Sequence, residues 1–179
     1  MFIAGQIVGI FAVLTFVLSY QFKKRKSIIA VNATSSFLYV LQYVLVGAFE
    51  GAAIDVLSAV STVAAHQKQK MPKILVVLIV IAIDGAMVLS GVLLYKDVFS
   101  LFPVAGAILQ STAFWINDEK YIRLVSFCGG PFWLVYNITS HAYGAVAGSI
   151  LSLVSISVAI VRYDVLPILG NRAKTENNK

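Results

Sequence analysis

A single carboxylate, Asp84, lies in the middle of a long apolar stretch of the chain. Residues 74–94 contain ten uncharged, mostly apolar residues on each side of it. A run of this length matches the hydrocarbon thickness of a bilayer, where a central charge costs about 2.5 to 3.5 kcal/mol on insertion scales. Asp84 is therefore expected to face protein, water or a partner. It would either bind a proton or a cargo, or be a protonated acid that hydrogen-bonds a neighbouring helix.

Other polar residues recur at helical spacing on neighbouring apolar segments. Gly51, Asp55, Ser58 and Thr62 follow one another at intervals of four, three and four residues, which places them on one helical face. Two similar stripes consist of Asn32, Ser35, Tyr39 and Gln42, and of Trp133, Tyr136 or Asn137, and Ser140. Because unsatisfied polar groups are costly in hydrocarbon, these faces are expected to turn inward. They would enclose a polar cavity or join the helices by hydrogen bonds.

The elements that carry these residues are predicted from composition. Hydrophobic residues make up 59% of the 179-residue chain, charged residues make up 12%, and mean hydropathy is +0.87. This balance predicts an all-α membrane protein without a soluble domain. Seven apolar segments are interpreted as transmembrane helices: 2–22, 28–49, 51–65, 74–94, 98–116, 122–139 and 142–161. Only Glu50 separates the second segment from the third, which predicts a tight helical hairpin.

The basic residues indicate how such helices would be oriented. Of the 14 Lys and Arg residues, all except Lys96 lie in or next to the first, third and fifth loops or near the C-terminus. Short loops rich in Lys and Arg stay cytoplasmic, so we expect the N-terminus outside and the C-terminus inside. This distribution explains the net charge of +6 without a nucleic-acid partner. The first segment has no preceding basic residues and is expected to remain as a span. Short loops and compact size favour a multi-pass protein of a bacterial inner membrane.

Residues 37–61 and 132–155 resemble each other, which predicts an internal repeat. With one residue deleted near the hairpin, Gln42 aligns with Asn137. If both copies start outside, one further helix must bring the chain back, giving a parallel three-plus-one-plus-three plan. The predicted units are a first three-helix unit at 1–72, a linker helix at 73–96, a second three-helix unit at 97–170 and a disordered cytoplasmic tail at 171–179.

The two hairpin regions carry a resemblance to a known family. Its residues are Gln42, Gly47, Phe49, Glu50, Gly51, Ala52, Asp55, Trp133, Tyr136, Asn137 and Gly144. Together they look like the YgjV type of bacterial inner-membrane protein. The resemblance implies a helix plan similar to that of the SWEET and PnuC transporters. In place of the paired asparagines of SWEET proteins, this chain has Asp55 or Ser58 in one half and Ser149 or Ser152 in the other.

Gly129, Gly130 and Pro131 interrupt the sixth segment. Proline after two flexible residues removes a backbone donor and predicts a kink. The kink would serve either as a hinge beside a binding site or as a static bend that improves packing. Trp133 and Tyr136, one turn further on, could stack on a flat ring or act as core anchors. The seventh segment carries a ridge of small residues that predicts close helix packing: Gly144, Gly148 and Ser152.

Two functional hypotheses follow from these residues. The first is a carrier or facilitator that moves a small polar metabolite by alternating access. Its cargo-contacting residues would be Gln42, Asp55, Trp133, Tyr136 and Asn137. In this hypothesis Asp84 couples protons, and Gly129, Gly130 and Pro131 form the hinge. The second hypothesis is a non-transporting membrane protein with the same fold, such as a sensor, an assembly partner or a lipid-binding factor.

Enzymatic and metal-dependent functions are not expected. The sequence contains no HExxH, GxSxG or P-loop pattern. His66 and His141 are predicted at opposite membrane faces and cannot share a metal. We therefore expect no catalytic residues, no metal and no cofactor. The expected partners are the lipid bilayer and a small polar solute, and a homo-oligomer is compatible with this plan.

Overall fold

The computed structural model describes residues 1–19, 25–116 and 118–166, and their regular structure is entirely helical. Seven α-helices are present in these ranges: α1 (Phe2–Ser19), α2 (Arg25–Val46), α3 (Phe49–His66), α4 (Lys73–Leu93), α5 (Phe102–Trp115), α6 (Glu119–Thr139) and α7 (Tyr143–Ile160). A π-helical turn, Val161–Val165, extends α7. The all-α prediction is confirmed for this part of the chain. The predicted tail at 171–179 lies outside the described residues.

Much of the bundle's outer surface is apolar. Within the residues that the structure describes, three helical stretches are long and apolar enough to cross a membrane: Lys73–Leu93, Val98–Trp115 and Tyr143–Val165. Two shorter stretches, Phe2–Phe16 and Thr34–Val46, are also apolar. Large hydrophobic side chains of α1 and α4 point away from the bundle and are exposed. Apolar surface of this extent is expected against lipid, whereas α3 and α6 carry polar stripes that lower their hydropathy.

The hairpins α2–α3 and α6–α7 have the same hydrogen-bond pattern. The Ala48 N–H donates to the Tyr43 carbonyl at 2.8 Å, and the Ala142 N–H donates to the Asn137 carbonyl at 3.0 Å. The predicted tight hairpin is thus present between α2 and α3. The pattern aligns Tyr43, and not Gln42, with Asn137. No residue has to be deleted near the turn, which corrects the alignment made from sequence.

A side chain from elsewhere in the bundle holds each hairpin turn. The turn residues Gly47 and His141 both have positive φ, at 81° and 55°. The Gln6 amide of α1 donates to the His141 carbonyl at 2.7 Å and accepts from the first N–H of α7 at 3.1 Å. Lys96 Nζ, in the α4–α5 connection, lies 3.0 Å from both the Gly47 carbonyl and the Glu50 carboxylate. Both turns therefore lie at the same end of the bundle as the start of α1 and the α4–α5 connection.

Helices on the N-terminal side of α4 pack against helices on its C-terminal side. α1 packs along α2 and against α7, whereas α5 packs along α6 and against α3. α4 contacts α3 and α5. The α1–α7 contact is a close backbone approach, since a methyl group on Gly144 would collide with the backbone of Gly9. This confirms the predicted packing role of Gly144 in the small-residue ridge.

The predicted hinge lies in a closely packed part of α6. α6 runs without interruption from Glu119 to Thr139, and Pro131 lies inside it. A Cβ on Gly129 would lie 2.9 Å from the Gly106 carbonyl oxygen of α5, and one on Gly130 would lie 2.5 Å from Leu153 of α7. The two glycines allow α5 and α7 to approach α6 closely. This placement fits the packing alternative, and the hinge stays a prediction.

Candidate functional site

A cavity of about 150 Å³ lies between the helices. Its lining comes from six of the seven α-helices, and α4 contributes none of it. The lining residues are Phe16, Tyr39, Tyr43, Asp55, Gln110, Gly130, Trp133, Asn137, Ala145, Gly148, Ser149 and Ser152. We refer to this space as the central cavity. Both hairpins contribute to it, so its shape depends on how α1–α3 pack against α5–α7.

Three of the five residues predicted to contact cargo line the central cavity. They are Asp55 of α3 and Trp133 and Asn137 of α6. Asp55 Oδ2 and Trp133 Nε1 are buried and have no hydrogen-bond partner among the described residues. Buried polar atoms are rarely left without a partner in folded proteins. Asp55 therefore offers the cavity a hydrogen-bond acceptor, and Trp133 offers it a donor, that a ligand or water could satisfy.

Asn137 connects three helices at the edge of the central cavity. Its Oδ1 accepts a hydrogen bond from the Tyr43 hydroxyl at 2.8 Å. Its Nδ2 donates to Ser149 Oγ at 2.9 Å and to the Ala145 carbonyl at 3.3 Å. Asn137 thus joins α2, α6 and α7. Its amide is largely occupied by protein groups, which gives it a structural role beside any contact with cargo.

Tyr136 lies one layer behind the cavity. Its ring centroid is 6.1 Å from that of Tyr43 and 6.3 Å from that of Trp133, and its hydroxyl accepts the Gly51 N–H at 2.9 Å. Tyr136 also borders a second pocket of about 190 Å³ that is lined by Glu50, Lys96 and Asp97 among others. This pocket lies at the hairpin-turn end of the bundle. The aromatic layer of Tyr43 and Tyr136 therefore lies between the pocket and the central cavity.

Gln42 is buried away from the lining of the central cavity. Its side chain lies against Gly9 of α1, where a methyl group would collide with the amide. Both amide atoms lack a hydrogen-bond partner within the described ranges. The contact across the two hairpins is made by Tyr43 and Asn137, and Gln42 faces α1. The structure thus brings Asp55, Trp133 and Asn137 together and leaves Gln42 apart from them.

Asp84 lies beside a separate polar cluster where α4 meets α3 and α5. Ser61 and Ser111 share a hydrogen bond at 2.6 Å, and Trp115 Nε1 donates to Ser61 Oγ at 3.2 Å. The Asp84 carboxyl interacts with Ser111, while its Oδ1 is buried without a partner in the described structure. Proton coupling by Asp84 stays a prediction, and any such coupling would act from outside the central cavity. No metal-binding group of three or more His, Cys, Asp or Glu occurs in the described ranges.

Two polar residues of the cavity lining, Tyr43 and Gln110, were not named by the sequence analysis. Tyr43 follows Gln42 directly, and its position relative to the turn matches that of Asn137. Gln110 is an amide within the apolar run of α5 and was visible as a polar interruption. The Tyr43 position becomes recognisable once the two hairpins are aligned by their turns.

A bundle of apolar-surfaced helices around a partly polar interior defines a helical membrane protein. Residues 3–166 match the Imp-YgjV family, which is described as bacterial inner membrane protein. The chain belongs to this family, and the match confirms the YgjV-type resemblance seen in the sequence. No curated protein and no solved structure matches the sequence.

Proposed function

We propose that this protein is a multi-pass carrier or facilitator of the inner membrane that moves a small polar solute by alternating access. The observation that supports this most directly is the central cavity of about 150 Å³, to which six helices contribute. Asp55 and Trp133 each present an unpartnered buried polar atom there. Interiors packed only for stability contain few such cavities, and their polar groups are paired.

The proposal treats residues 1–72 and 97–170 as related three-helix units joined by a linker helix at 73–96. Three features support this. The two hairpins have matching hydrogen bonds, and the first helix of each unit packs against the third helix of the other, α1 on α7 and α5 on α3. Each hairpin turn is also hydrogen-bonded by a side chain from another part of the bundle. Transporters built from parallel repeats bind cargo between the repeats and move one against the other. The same similarity supports a SWEET-like helix plan with seven spans.

The predicted residues take different parts in this proposal. Asp55 and Trp133 contact the cargo directly, and Asn137 borders it while holding Tyr43 and Ser149. Gln42 and Tyr136 support the cavity from the layer behind. Asp84 binds a proton at the α3–α4–α5 cluster, and Gly129, Gly130 and Pro131 absorb the bending of α6.

Cysteine labelling at the cavity tests the proposal without knowledge of the cargo. Ser152 lines the cavity, and Val154 on the same helix is 56% exposed on the apolar surface. In a Cys128→Ser background, Ser152→Cys should react with a charged, membrane-impermeant maleimide added to either right-side-out or inside-out vesicles. Val154→Cys should react from neither side, because the charged reagent does not enter lipid.

The labelling pattern also separates the two functional classes. Reaction of Ser152→Cys from both sides requires that the cavity can be reached from each face. Reaction from one side alone contradicts alternating access. Protection from both sides would indicate a sealed interior and would favour a sensor, an assembly partner or a lipid-binding factor.

A further inference from the structure

The charge of the central cavity restricts which solutes it can hold. Within the described part of the chain, the residues that line the cavity include one acidic residue, Asp55, and no Lys, Arg or His. An anion would approach this carboxylate without a compensating cation, which is strongly unfavourable away from water. A positively charged ligand would instead supply the missing counter-charge.

The aromatic rings around the cavity favour the same class of ligand. Tyr39, Tyr43 and Trp133 all border it. The Tyr43 and Trp133 ring centroids are 6.3 Å apart, with 29° between the ring planes. Aromatic faces attract cations through their quadrupole, and groups of aromatic rings are a recurrent way to bind ammonium ions. The carboxylate and the rings therefore act on the same feature of a ligand.

The two buried atoms without a hydrogen-bond partner, Asp55 Oδ2 and Trp133 Nε1, place a second requirement on the ligand. Asp55 Oδ2 accepts hydrogen bonds or an ionic contact, whereas Trp133 Nε1 can only donate. A bare cation satisfies the first atom and leaves the second without a partner. A hydroxyl or carbonyl oxygen on the ligand would accept from the Trp133 indole. Asn137 Oδ1 accepts from Tyr43 and does not act as the acceptor for Trp133 Nε1 in this structure.

We propose that the central cavity binds a small organic cation, an amine or quaternary ammonium compound that also carries a hydrogen-bond acceptor. Asp55 balances the charge, Tyr39, Tyr43 and Trp133 surround the cationic group, and Trp133 Nε1 donates to the acceptor. This inference names the cargo class of the carrier and rests on the proposed function for transport. The binding step itself requires only that the cavity be reached from one side.

Binding of choline to the purified full chain in lipid nanodiscs tests the site. Choline carries both the charge and a hydroxyl, tetramethylammonium carries the charge alone, and 3,3-dimethylbutan-1-ol is a neutral isostere of choline. Radiolabelled choline should bind saturably. Tetramethylammonium should compete more weakly than choline, and the neutral alcohol should be weaker than choline by at least about tenfold, which corresponds to about 1.4 kcal/mol.

Two variants test whether choline binding depends on the carboxylate of Asp55. Asp55→Asn keeps the shape of the side chain, removes its charge and should weaken choline binding by at least about tenfold. Asp118→Asn removes a carboxylate outside the cavity, at the N-cap of α6, where its side chain accepts the Lys120 N–H. Because Asn caps helices as well as Asp, this control should bind choline like the unmodified protein.

The outcomes distinguish this inference from the proposed function. Equal competition by choline and its neutral isostere, or no binding of either cation, would overturn the cation site. The comparison of choline with its neutral isostere uses the unmodified chain. It therefore tests whether the site requires a positive charge even if Asp55→Asn fails to fold. Two-sided labelling of Ser152→Cys without cation binding would leave the carrier proposal intact. It would contradict only the inference that the cargo is a cation. Protection of Ser152→Cys from both sides would remove the carrier proposal itself.

Discussion

At the scale of single residues, Asn137 shows how one side chain fixes the geometry around the cavity. Its amide links the Tyr43 hydroxyl of α2 with Ser149 and Ala145 of α7. Hydrogen bonds between membrane helices average about 0.6 kcal/mol each, so three partners make this a strong connection for its size. A ligand that displaced Asn137 would have to replace these bonds. In the proposed function, Asp55 therefore recognises the charge of the cargo, while Asn137 supports the cavity.

Replacing Asn137 with leucine should lower the free energy of unfolding by about 1–2 kcal/mol. The change removes three hydrogen bonds and leaves the buried Tyr43 hydroxyl without its acceptor. The measurement is reversible unfolding of the purified protein in mixed detergent micelles, followed by tryptophan fluorescence.

Tyr43→Phe serves as the partner change for this measurement. If the Tyr43–Asn137 bond contributes, the double variant will be less destabilised than the sum of the two single variants. Additive effects would show that the two side chains are not energetically coupled.

At the scale of helices, small residues decide how closely the elements approach. Gly9 and Gly144 let the backbones of α1 and α7 meet, and Gly106 and Gly129 do the same for α5 and α6. Contacts of this kind replace the hydrophobic driving force that is absent between helices in lipid. The α1–α7 contact joins the N-terminal helix to the second hairpin, so it sets the relative position of the two hairpins.

Gly144→Ala should destabilise the protein by about 1–3 kcal/mol, because the added methyl group meets the backbone of Gly9, which cannot rotate away. Gly85→Ala on α4 is the matched control, since a Cβ there meets nothing within 4 Å. The control should be neutral or stabilising by up to about 1 kcal/mol, through lower backbone entropy of the unfolded chain. Unfolding free energies of the two variants in micelles provide the comparison, and equal losses would contradict the close α1–α7 approach.

At the scale of the whole molecule, the loops divide between the two ends of the bundle. The hairpin turns and Lys96 share one end. At the other end, Lys68 donates to the Ile116 carbonyl at 2.7 Å, and Arg123 pairs with Asp164 at 2.7 Å. The end with Lys68 and Arg123 belongs to the loops that the charge distribution predicts to be cytoplasmic.

This orientation predicts opposite accessibility for the two ends. In a Cys128→Ser background, Tyr95→Cys, at a position 52% exposed in the α4–α5 connection, should be labelled by an impermeant thiol reagent on spheroplasts. Lys70→Cys, at an exposed position between α3 and α4, should be labelled only after the membrane is permeabilised. The reverse pattern would invert the proposed topology, and labelling of both on intact spheroplasts would exclude an odd number of spans between them.

Much of the helix plan was predictable from local pattern. Each predicted apolar segment overlaps one of α1 to α7, because hydropathy and polar spacing are properties of neighbouring residues. The stripes also indicated that Asp55, Trp133 and Asn137 would face the interior. The same stripes ranked Gln42 equally with these residues, however, and it is Tyr43 that contacts Asn137. A shift of one residue along a helix rotates the position of the side chain by about 100° around the helix axis. Weak similarity between apolar helices does not fix an alignment to within one residue.

The chain's own sequence determined that it is a helical membrane protein of the YgjV type, where its helices run and where the tight hairpins turn. Only the tertiary structure decided which polar residues share a cavity. It placed Asp55 and Trp133 together, turned Gln42 towards α1 and put Asp84 beside Ser111. The physical reason is that the rotation of each helix about its axis depends on small residues of distant helices, such as Gly9 against Gly144. Those pairings are not encoded in the spacing of any single segment.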